Sequence, residues 1–178
     1  MKKFTRTAAF LACLILLLPM VANAKSDSSN LSKIQKDIGR QLIEVQSGNW
    51  PLVLDYYTDD IEYHDPIVDI YGIGEMTQFL GQLFANSPDL VTTIEDETII
   101  NGIYTSTWTM VGQFNGVPFD AKGMSIIKFR PKETQAYYQR DYYTEGDIMI
   151  NIPGLAEPTE AFRIYYKCAV DPTYICPF

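Results

Sequence analysis

The sequence predicts an α+β domain in which three N-terminal helices are followed by an antiparallel sheet. Between Leu31 and Asn86, apolar residues recur mainly at intervals of three and four, the spacing of helices buried on one side. After Pro88 the pattern changes to the alternation of strands, and two Asn-Gly pairs divide this region into a meander. Helices that precede a run of antiparallel strands are typical of helices packed on one sheet face.

Each predicted helix has a recognisable end. The first ends at Gly48-Asn49 and carries the apolar stripe Leu31, Ile34, Ile38, Leu42 and Val45. Asn49 caps a short second helix with Pro51 in its first turn, where the missing N–H costs no hydrogen bond. The third helix follows Gly72 and Gly74, ends at Asn86-Ser87-Pro88, and has the stripe Met76, Phe79, Leu80, Leu83 and Phe84.

The predicted strands run from Ile61 to His64 and then through the meander: Val91 to Ile100, Ile103 to Phe114, Val117 to Phe129, and Thr134 to Tyr143. A two-residue turn at Asn115-Gly116 would pair Phe114 with Val117 and set the register of both strands. One face then carries bulky residues with Gly112, Ala121 and Gly123 between them. That face predicts either the wall of a cavity or an ordinary core that the helices fill.

The order of these elements, Asp65-Pro66 after the short strand, and Asn115-Gly116-Val117-Pro118 in the meander together resemble one superfamily. It is the nuclear transport factor 2-like superfamily, which includes the SnoaL-like polyketide cyclases and the ketosteroid isomerases. The resemblance covers about Leu31 to Glu145. It implies a cone-shaped, curved antiparallel sheet wrapped by three helices around a deep apolar pocket, and homodimers formed through the outer sheet face.

The resemblance also implies site residues. Asp65 matches the general base of the isomerases, and apolar surroundings would raise its pKa into a useful range. The oxyanion-hole tyrosine and protonated aspartate of the isomerases match Gln41 and Ser125, which are weaker neutral donors. We predict the pocket and ligand-binding residues to be Tyr57, Tyr63, His64, Trp108, Phe119, Ser125, Asp141 and Tyr143.

Strand alternation separates Arg140 from Asp141, so the two side chains point to opposite faces. The resemblance implies that Tyr143 faces in, and with it Asp141, Gln139 and Tyr137, so that Arg140 lies outside; a β-bulge would reverse this assignment. His64, the one histidine of the chain, either orients Asp65, acts as an acid or base, or is a structural or surface residue. Asp65-Pro66 is either chemically active or simply a turn.

The two ends of the chain predict export. Lys2, Lys3 and Arg6 precede an apolar run from Phe10 to Met20, and Ala22-Asn23-Ala24 matches a cleavage site. Residues 1–24 are therefore predicted to be a cleaved signal peptide, with a retained membrane anchor as the alternative. Residues 25–150 form the predicted domain and 151–178 a tail. Cys168 and Cys176 predict one disulfide in this tail, with two free thiols as the alternative.

The net charge and the absence of certain sequence motifs limit the classes of partner and cofactor that this chain can be expected to bind. Without residues 1–24 the chain keeps 11 Lys and Arg against 22 Asp and Glu, a net charge of about −11. Such an acidic chain argues against nucleic acid and anionic membranes as partners. No phosphate loop, nucleophile elbow or His-rich cluster is present in the sequence, so no cofactor or metal is predicted.

We therefore predict a periplasmic or secreted domain that binds a small apolar molecule. Its activity would be cofactor-independent acid–base catalysis of the isomerase, cyclase, dehydratase or hydrolase type, with Asp65 as the reactive group. The alternatives are a ligand-binding module without turnover and a dimerisation domain.

Overall fold

The computed structural model describes residues 28–171 and 173–177. The predicted signal peptide and its cleavage site lie outside the described residues. Across the two described ranges, no helix is both long enough and apolar enough to span a bilayer.

Five helices and six strands make up the described chain. The helices are α1 (28–43), α2 (Trp50–Val53), α3 (Ile73–Asn86), α4 (Glu145–Met149) and α5 (Ala156–Val170), and a 3-10 turn, Leu54–Tyr56, follows α2. The strands are β1 (Tyr57–His64), β2 (Asp69–Tyr71), β3 (Val91–Ile100), β4 (Ile103–Phe114), β5 (Val117–Phe129) and β6 (Ala136–Tyr143). The bounds predicted for β3, β4 and β5 agree with these.

The six strands form one curved, open sheet in the order β2-β1-β6-β5-β4-β3. From β3 to β6 the chain is the predicted antiparallel meander. The pairing of β1 with β6 is parallel, which corrects the prediction of a fully antiparallel sheet. After β1 and β2 the chain crosses through α3 to the far edge, and the meander then returns until β6 reaches β1.

The hairpin register is confirmed. Phe114 pairs with Val117 across Asn115-Gly116, and both turn residues have positive φ, 50° and 80°. Asn101-Gly102 forms the same kind of turn between β3 and β4, with φ values of 52° and 75°. These are the conformations that a tight hairpin between twisted strands requires. The register therefore follows from local turn chemistry.

Helices α1 and α3 pack on the inner face of the sheet. Gly39 allows α1 to approach β4 closely, since a Cβ there would lie 2.5 Å from Cγ of Tyr104. Close to this contact, Arg40 and Lys36 of α1 form ion pairs with Glu97 of β3, and the Tyr104 hydroxyl also donates to Glu97 at 2.9 Å. From α3, the buried residues are Met76, Leu80 and Phe84.

The inner face contributes the wall of a cavity, one of the two predicted alternatives, but its small residues do not leave that space open themselves. Gly112, Ala121 and Gly123 are not among the residues that line the cavity. A Cβ at Gly123 would overlap the Trp108 ring, and a Cβ at Gly112 would lie 3.0 Å from Cα of Leu90. The missing side chains thus admit Trp108 and Leu90, and these two residues line the cavity instead.

Candidate functional site

A cavity of about 440 Å³ lies between the helices and the inner sheet face. Its volume is within the range of small-molecule sites. The walls come from the end of α1, from α3, from the inner face of β1 and β4–β6, and from the segment that begins with α4. Most lining residues are apolar: Leu42, Ile43, Val45, Ile67, Val68, Met76, Phe79, Leu80, Leu83, Phe84, Leu90, Trp108, Met110, Phe114, Phe119, Ile148 and Ile152.

The polar part of the cavity is centred on Asp141. Its Oδ1 accepts a hydrogen bond from Ser125 Oγ at 2.6 Å, and its Oδ2 accepts one from the Tyr63 hydroxyl at 3.0 Å. Gln139 Nε2 lies 3.2 Å from both carboxylate oxygens. Register explains the first contact, because Asp141 on β6 is the direct partner of Ser125 on β5. Three neighbouring strands thus supply the donors to one carboxylate.

Burial raises the pKa of Asp141 to about 6, although the donors Ser125, Gln139 and Tyr63 oppose the shift. Asp141 and Asp65 are the two charged side chains among the described residues that line the cavity, and no cationic side chain lies with them to stabilise the carboxylate. A carboxyl with this pKa is ionised for the most part at neutral pH and takes up a proton readily. It is therefore suited to general acid–base chemistry.

Asp65 is connected to Asp141 through Tyr63. The Tyr63 hydroxyl lies 3.3 Å from Oδ2 of Asp65 and 3.0 Å from Oδ2 of Asp141, so one phenol bridges two carboxyl groups. The other oxygen of Asp65 accepts the backbone N–H groups of Ile67 and Val68, both at 2.7 Å. One oxygen of Asp65 therefore builds the turn, and the other belongs to the cavity network, while the chemical activity predicted for Asp65 stays a prediction.

Two further tyrosines complete the network. The Tyr57 hydroxyl donates to Gln139 Oε1 at 2.6 Å, which orients the Gln139 amide towards Asp141. Tyr143 lines the same cavity, and burial and then the charge of Asp65 raise its pKa. Burial, and after it the negative charges nearby, raise the pKa of Tyr57, Tyr63 and Tyr143, so these phenols keep their protons. On β4, Trp108 Nε1 donates to Ser125 Oγ at 2.8 Å and fixes the hydroxyl that faces Asp141.

Seven of the predicted pocket residues and Asp65 line this cavity: Tyr57, Tyr63, Trp108, Phe119, Ser125, Asp141 and Tyr143. The prediction for His64 is wrong, because strand alternation turns it to the opposite face from Tyr63. There it contacts Asp69 Oδ1 at 2.5 Å and lies beside the Tyr71 and Tyr138 rings. His64 therefore does not orient Asp65.

The other predictions, of which side chains face the cavity and which lie outside, have mixed outcomes. Arg140 is exposed and stacks on the Tyr142 ring, as predicted, with 5.2 Å between guanidinium carbon and ring centroid. Tyr137 is not among the cavity residues, because a bulge in the β5–β6 pairing shifts the alternation between Tyr138 and Ala136. Gln41 is exposed and accepts a hydrogen bond from Tyr56, so it does not occupy the predicted oxyanion-hole position.

Two parts of the cavity were not predicted from the sequence as site residues: the segment after β6 and Gln139. Ile148 and Ile152 line the cavity, whereas Phe162, Tyr165 and Tyr166 of the tail helix are not among its lining residues. Those three aromatic residues are exposed. No local signal marked α4 as part of the wall, whereas the alternation of β6 had already placed Gln139 inside. The disulfide between Cys168 and Cys176 is present.

Within residues 28–171 and 173–177, no group of three or more His, Cys, Asp or Glu side chains is placed to hold a metal ion. The polar side chains of the cavity instead bond to one another. Their arrangement can bind a hydrogen-bonding group of an apolar molecule and exchange a proton with it.

Comparison with solved structures shows the class of fold. A protein assigned as a SnoaL-like polyketide cyclase from Jannaschia sp. CCS1 superposes with a TM-score of 0.60 at 17% identity, covering 70% of this chain and 94% of that one. An LEH-like epoxide hydrolase from M. tuberculosis gives 0.59 at 12% identity, with coverages of 75% and 98%. An NTF2-like protein of unknown function from Cytophaga hutchinsonii gives 0.54 at 14% identity, with coverages of 64% and 99%. At these identities the likeness shows the NTF2-like cone fold alone.

The sequence match is more specific than the fold. The SnoaL-like domain family matches residues 40–135, more than half of the 178-residue chain. The chain therefore belongs to the SnoaL-like domain family. No curated protein sequence matches it significantly.

Proposed function

We propose that the protein is a cofactor-independent acid–base catalyst that acts on a small, largely apolar molecule bound in the cavity. The observation that carries this proposal is the half-buried carboxyl of Asp141, which lines the cavity with a pKa raised to about 6 and is bridged by Tyr63 to Asp65. The proposal therefore transfers the role of base from Asp65 to Asp141 and keeps Asp65 as its proton partner.

In the proposed reaction, the ionised Asp141 removes a proton from a C–H or O–H group of the substrate and becomes a neutral carboxylic acid. The proton then returns to another atom of the substrate, as in an isomerisation or cyclisation, or leaves through Tyr63. In the second case Tyr63 accepts the proton of Asp141 while it gives its own proton to Asp65. Asp65 stands beside the exposed residues Pro66 and Ile67, from which water can take the proton.

The arrangement departs from two activities that the superfamily resemblance suggests, ketosteroid isomerisation and limonene epoxide hydrolysis. Ketosteroid isomerases would need acidic donors where this chain has Gln41 and Ser125. Ser125 is fully buried and donates to Asp141, and it accepts from Trp108, so it is not free to stabilise an oxyanion. The aspartate–arginine–aspartate relay of limonene epoxide hydrolases would need an inward arginine, whereas Arg140 is outside. Here a phenol stands between the two carboxyl groups.

The test uses an enolisable bicyclic ketone, β-tetralone, as a probe of proton abstraction. We expect the protein to accelerate exchange of its α-protons for deuterium in heavy water, followed by NMR, with a rate that rises with pH and levels off above about pH 6. Asp141→Asn should lower the rate at least about a hundred-fold, because general bases contribute roughly that much or more. Tyr63→Phe should reduce it less.

The matched control is Asp120→Asn, which changes an exposed carboxylate outside the cavity and should leave the exchange rate unchanged. A second candidate function is ligand binding without turnover, which the saturation of Asp141 by three donor side chains favours. Binding of β-naphthol, detected through Trp108 fluorescence, together with no catalysed exchange would support that candidate and reject the catalytic one.

Export to an oxidising compartment is part of the proposal. The Cys168–Cys176 disulfide supports it, because such bonds persist in periplasmic and extracellular proteins. We propose the periplasm or the extracellular medium as the location, with a small apolar molecule rather than nucleic acid or membrane as the ligand.

A further inference from the structure

The hydroxyl of Ser87 is a polar group of the cavity that the proposed function does not use. Ser87 follows α3 directly, before Pro88, and is fully buried. Its N–H donates to the carbonyl oxygen of Leu83 at 2.8 Å, and its own carbonyl oxygen accepts from the N–H of Leu90 at 3.2 Å. Its Oγ, by contrast, has no hydrogen-bond partner among the described residues. A buried hydroxyl without a partner destabilises the protein, so a molecule that bonds to Ser87 Oγ would be held selectively.

Ser87 lies at the hairpin end of the cavity. It lines the cavity together with Thr92, whose side chain also carries a hydroxyl. The residue before it, Asn86, accepts a hydrogen bond at 3.0 Å from the N–H of Asn115 in the turn between β4 and β5. Thr92 is the direct partner of Met110 on β4, and Met110 lines the same cavity. We call this part of the cavity, defined by Ser87 and Thr92, the hydroxyl end.

The carboxyl group of Asp141 lies at a distance from the hydroxyl end that α3 allows us to judge. The Tyr63 hydroxyl donates to Asp141, and the Tyr63 ring packs against Phe79 of α3 with 5.1 Å between ring centroids. Ser87 follows Phe79 by eight residues, which corresponds to about 12 Å along a helix axis. Helix α3 therefore runs from the carboxyl groups to the hydroxyl end.

The sheet gives a similar distance. Ser125, which donates to Asp141, is the direct partner of Ser106 on β4. Met110, the partner of Thr92, follows Ser106 by four residues, or about 14 Å along a strand. The two groups of polar residues are therefore separated by roughly 12–14 Å on both walls of the cavity.

The cavity wall between the two ends is apolar. Leu80, Leu83 and Phe84 line the cavity from the part of α3 that lies between Phe79 and Ser87. No Lys or Arg among the described residues lines the cavity. A charged group of a ligand at the hydroxyl end would be buried there without a counter-charge, so a neutral oxygen fits this end better than a carboxylate or a phosphate.

We propose that Ser87 anchors the far end of the bound molecule, and that the substrate is an elongated apolar compound with a hydroxyl or carbonyl oxygen at each end. One oxygen-bearing group meets Asp141, and the other bonds to Ser87 Oγ. A hydrogen bond of about 2.8 Å at each end leaves roughly 6–8 Å between the two ligand oxygens, the length of two fused six-membered rings. This inference deepens the proposed function and rests on it for the identity of the reacting end.

A distal anchor would serve both orientation and selectivity. A substrate that is held at Ser87 presents a fixed group to Asp141, and such positioning lowers the barrier to reaction. An analogue without the distal oxygen would leave the Ser87 hydroxyl buried and unpaired, and sites built to bond an oxygen discriminate strongly against such analogues. Ser87 is therefore assigned as a positioning and specificity residue.

The test compares three ligands that share one ring system, with Kd measured by isothermal titration calorimetry. We expect 2,6-dihydroxynaphthalene, with oxygens at opposite ends, to bind about tenfold more tightly than 2-naphthol, which lacks the distal oxygen. The isomer 2,3-dihydroxynaphthalene carries both oxygens at one end and should gain no such advantage. Ser87→Ala should remove the advantage of the 2,6-isomer and leave the Kd of 2-naphthol unchanged.

The matched control is Ser106→Ala, which makes the same change at a buried serine that is not among the cavity residues and should preserve the ligand preference. Equal Kd values for the three ligands, or an advantage of the 2,6-isomer that survives in Ser87→Ala, would overturn the inference. So would a loss of stability of ligand-free Ser87→Ala in urea, because it would show that the hydroxyl already has a partner within the fold.

The outcome for the anchor can be separated from the outcome for catalysis. The ligand preference is a binding measurement, whereas the proposed acid–base function is tested by deuterium exchange and by Asp141→Asn. A preference that depends on Ser87 in a protein without catalysed exchange would support the anchor and reject the catalytic function. Catalysed exchange without that preference would reject the anchor alone.

Discussion

At the residue scale, the two aspartates show what a single chain position can and cannot indicate. Asp65 could be predicted as a site residue because an Asp-Pro turn is a local feature that is visible in the sequence. Asp141 looks like any acidic residue of a strand. Its pKa is raised by burial and lowered in part by Ser125, Gln139 and Tyr63, which come from three different strands. Alternation along β6 could place Asp141 inside, but its desolvation is a tertiary property.

The raised pKa of Asp141 predicts a specific pH dependence of stability. Because the folded-state pKa, about 6, lies above the unfolded value, the folded protein binds more protons between about pH 4 and pH 6. The free energy of unfolding that this group contributes therefore falls as the pH rises through that window. We expect Asp141→Asn to gain stability relative to the parent over the same window, by on the order of 2–3 kcal/mol at most.

Urea denaturation of both proteins at a series of pH values measures this difference. Asp120→Asn serves as the control, since its exposed carboxylate should give a difference that does not change with pH. The sign is the decisive result. If the parent instead gained stability relative to Asp141→Asn as the pH rose from 4 to 7, Asp141 would be a stabilised carboxylate and unsuited to act as a base near neutrality.

At the element scale, the parts of the fold that local chemistry specifies were predictable. The two Asn-Gly turns and the period-two alternation give β3, β4 and β5 with their bounds. Strand β2 was missed, because it has three residues and one buried side chain, and it forms only by pairing with β1 across the Asp65 turn. The bulge beside Tyr138 was also invisible, because it results from how β5 and β6 meet.

The two hairpin turns predict unequal effects of the same substitution. Gly102 and Gly116 both have positive φ, so alanine costs about 1–2 kcal/mol at either position. At Gly102 the added Cβ would also lie 3.1 Å from the carbonyl oxygen of Phe129, whereas nothing lies within 4 Å at Gly116. We therefore expect Gly102→Ala to lower the free energy of unfolding more than Gly116→Ala, as measured by urea denaturation. Equal losses would show that backbone strain alone decides both turns.

At the scale of the whole molecule, the order of the elements and the cone-like fold class were predictable from the sequence. Which distant segments complete the walls of the cavity was not predictable. The parallel contact of β1 with β6 joins residues about eighty positions apart, and no periodicity reports such a pairing. The same is true of Ile148 and Ile152, which reach the cavity from beyond the family match at residues 40–135. Among the described contacts of the α5 segment are the Arg163–Asp147 ion pair and the Cys168–Cys176 disulfide, and of these the sequence indicated only the disulfide.

The last prediction concerns this appended segment. Helix α5 has no buried residue, so the core formed by the sheet, α1 and α3 should fold without the Cys168–Cys176 disulfide. In the variant Cys168→Ser with Cys176→Ser, we expect faster hydrogen–deuterium exchange confined to residues 156–177, because the end of the helix loses its covalent tether. Amides of β4 and β5 should keep the protection of the parent, and the thermal midpoint of the core should stay within a few degrees of the parent's.

The matched control is Arg163→Ala, which removes the ion pair to Asp147 while the disulfide remains. This variant should instead speed exchange in α4 and the first half of α5. Increased exchange throughout the sheet of the disulfide variant would mean that the tail is an integral part of the core, contrary to the burial of its residues.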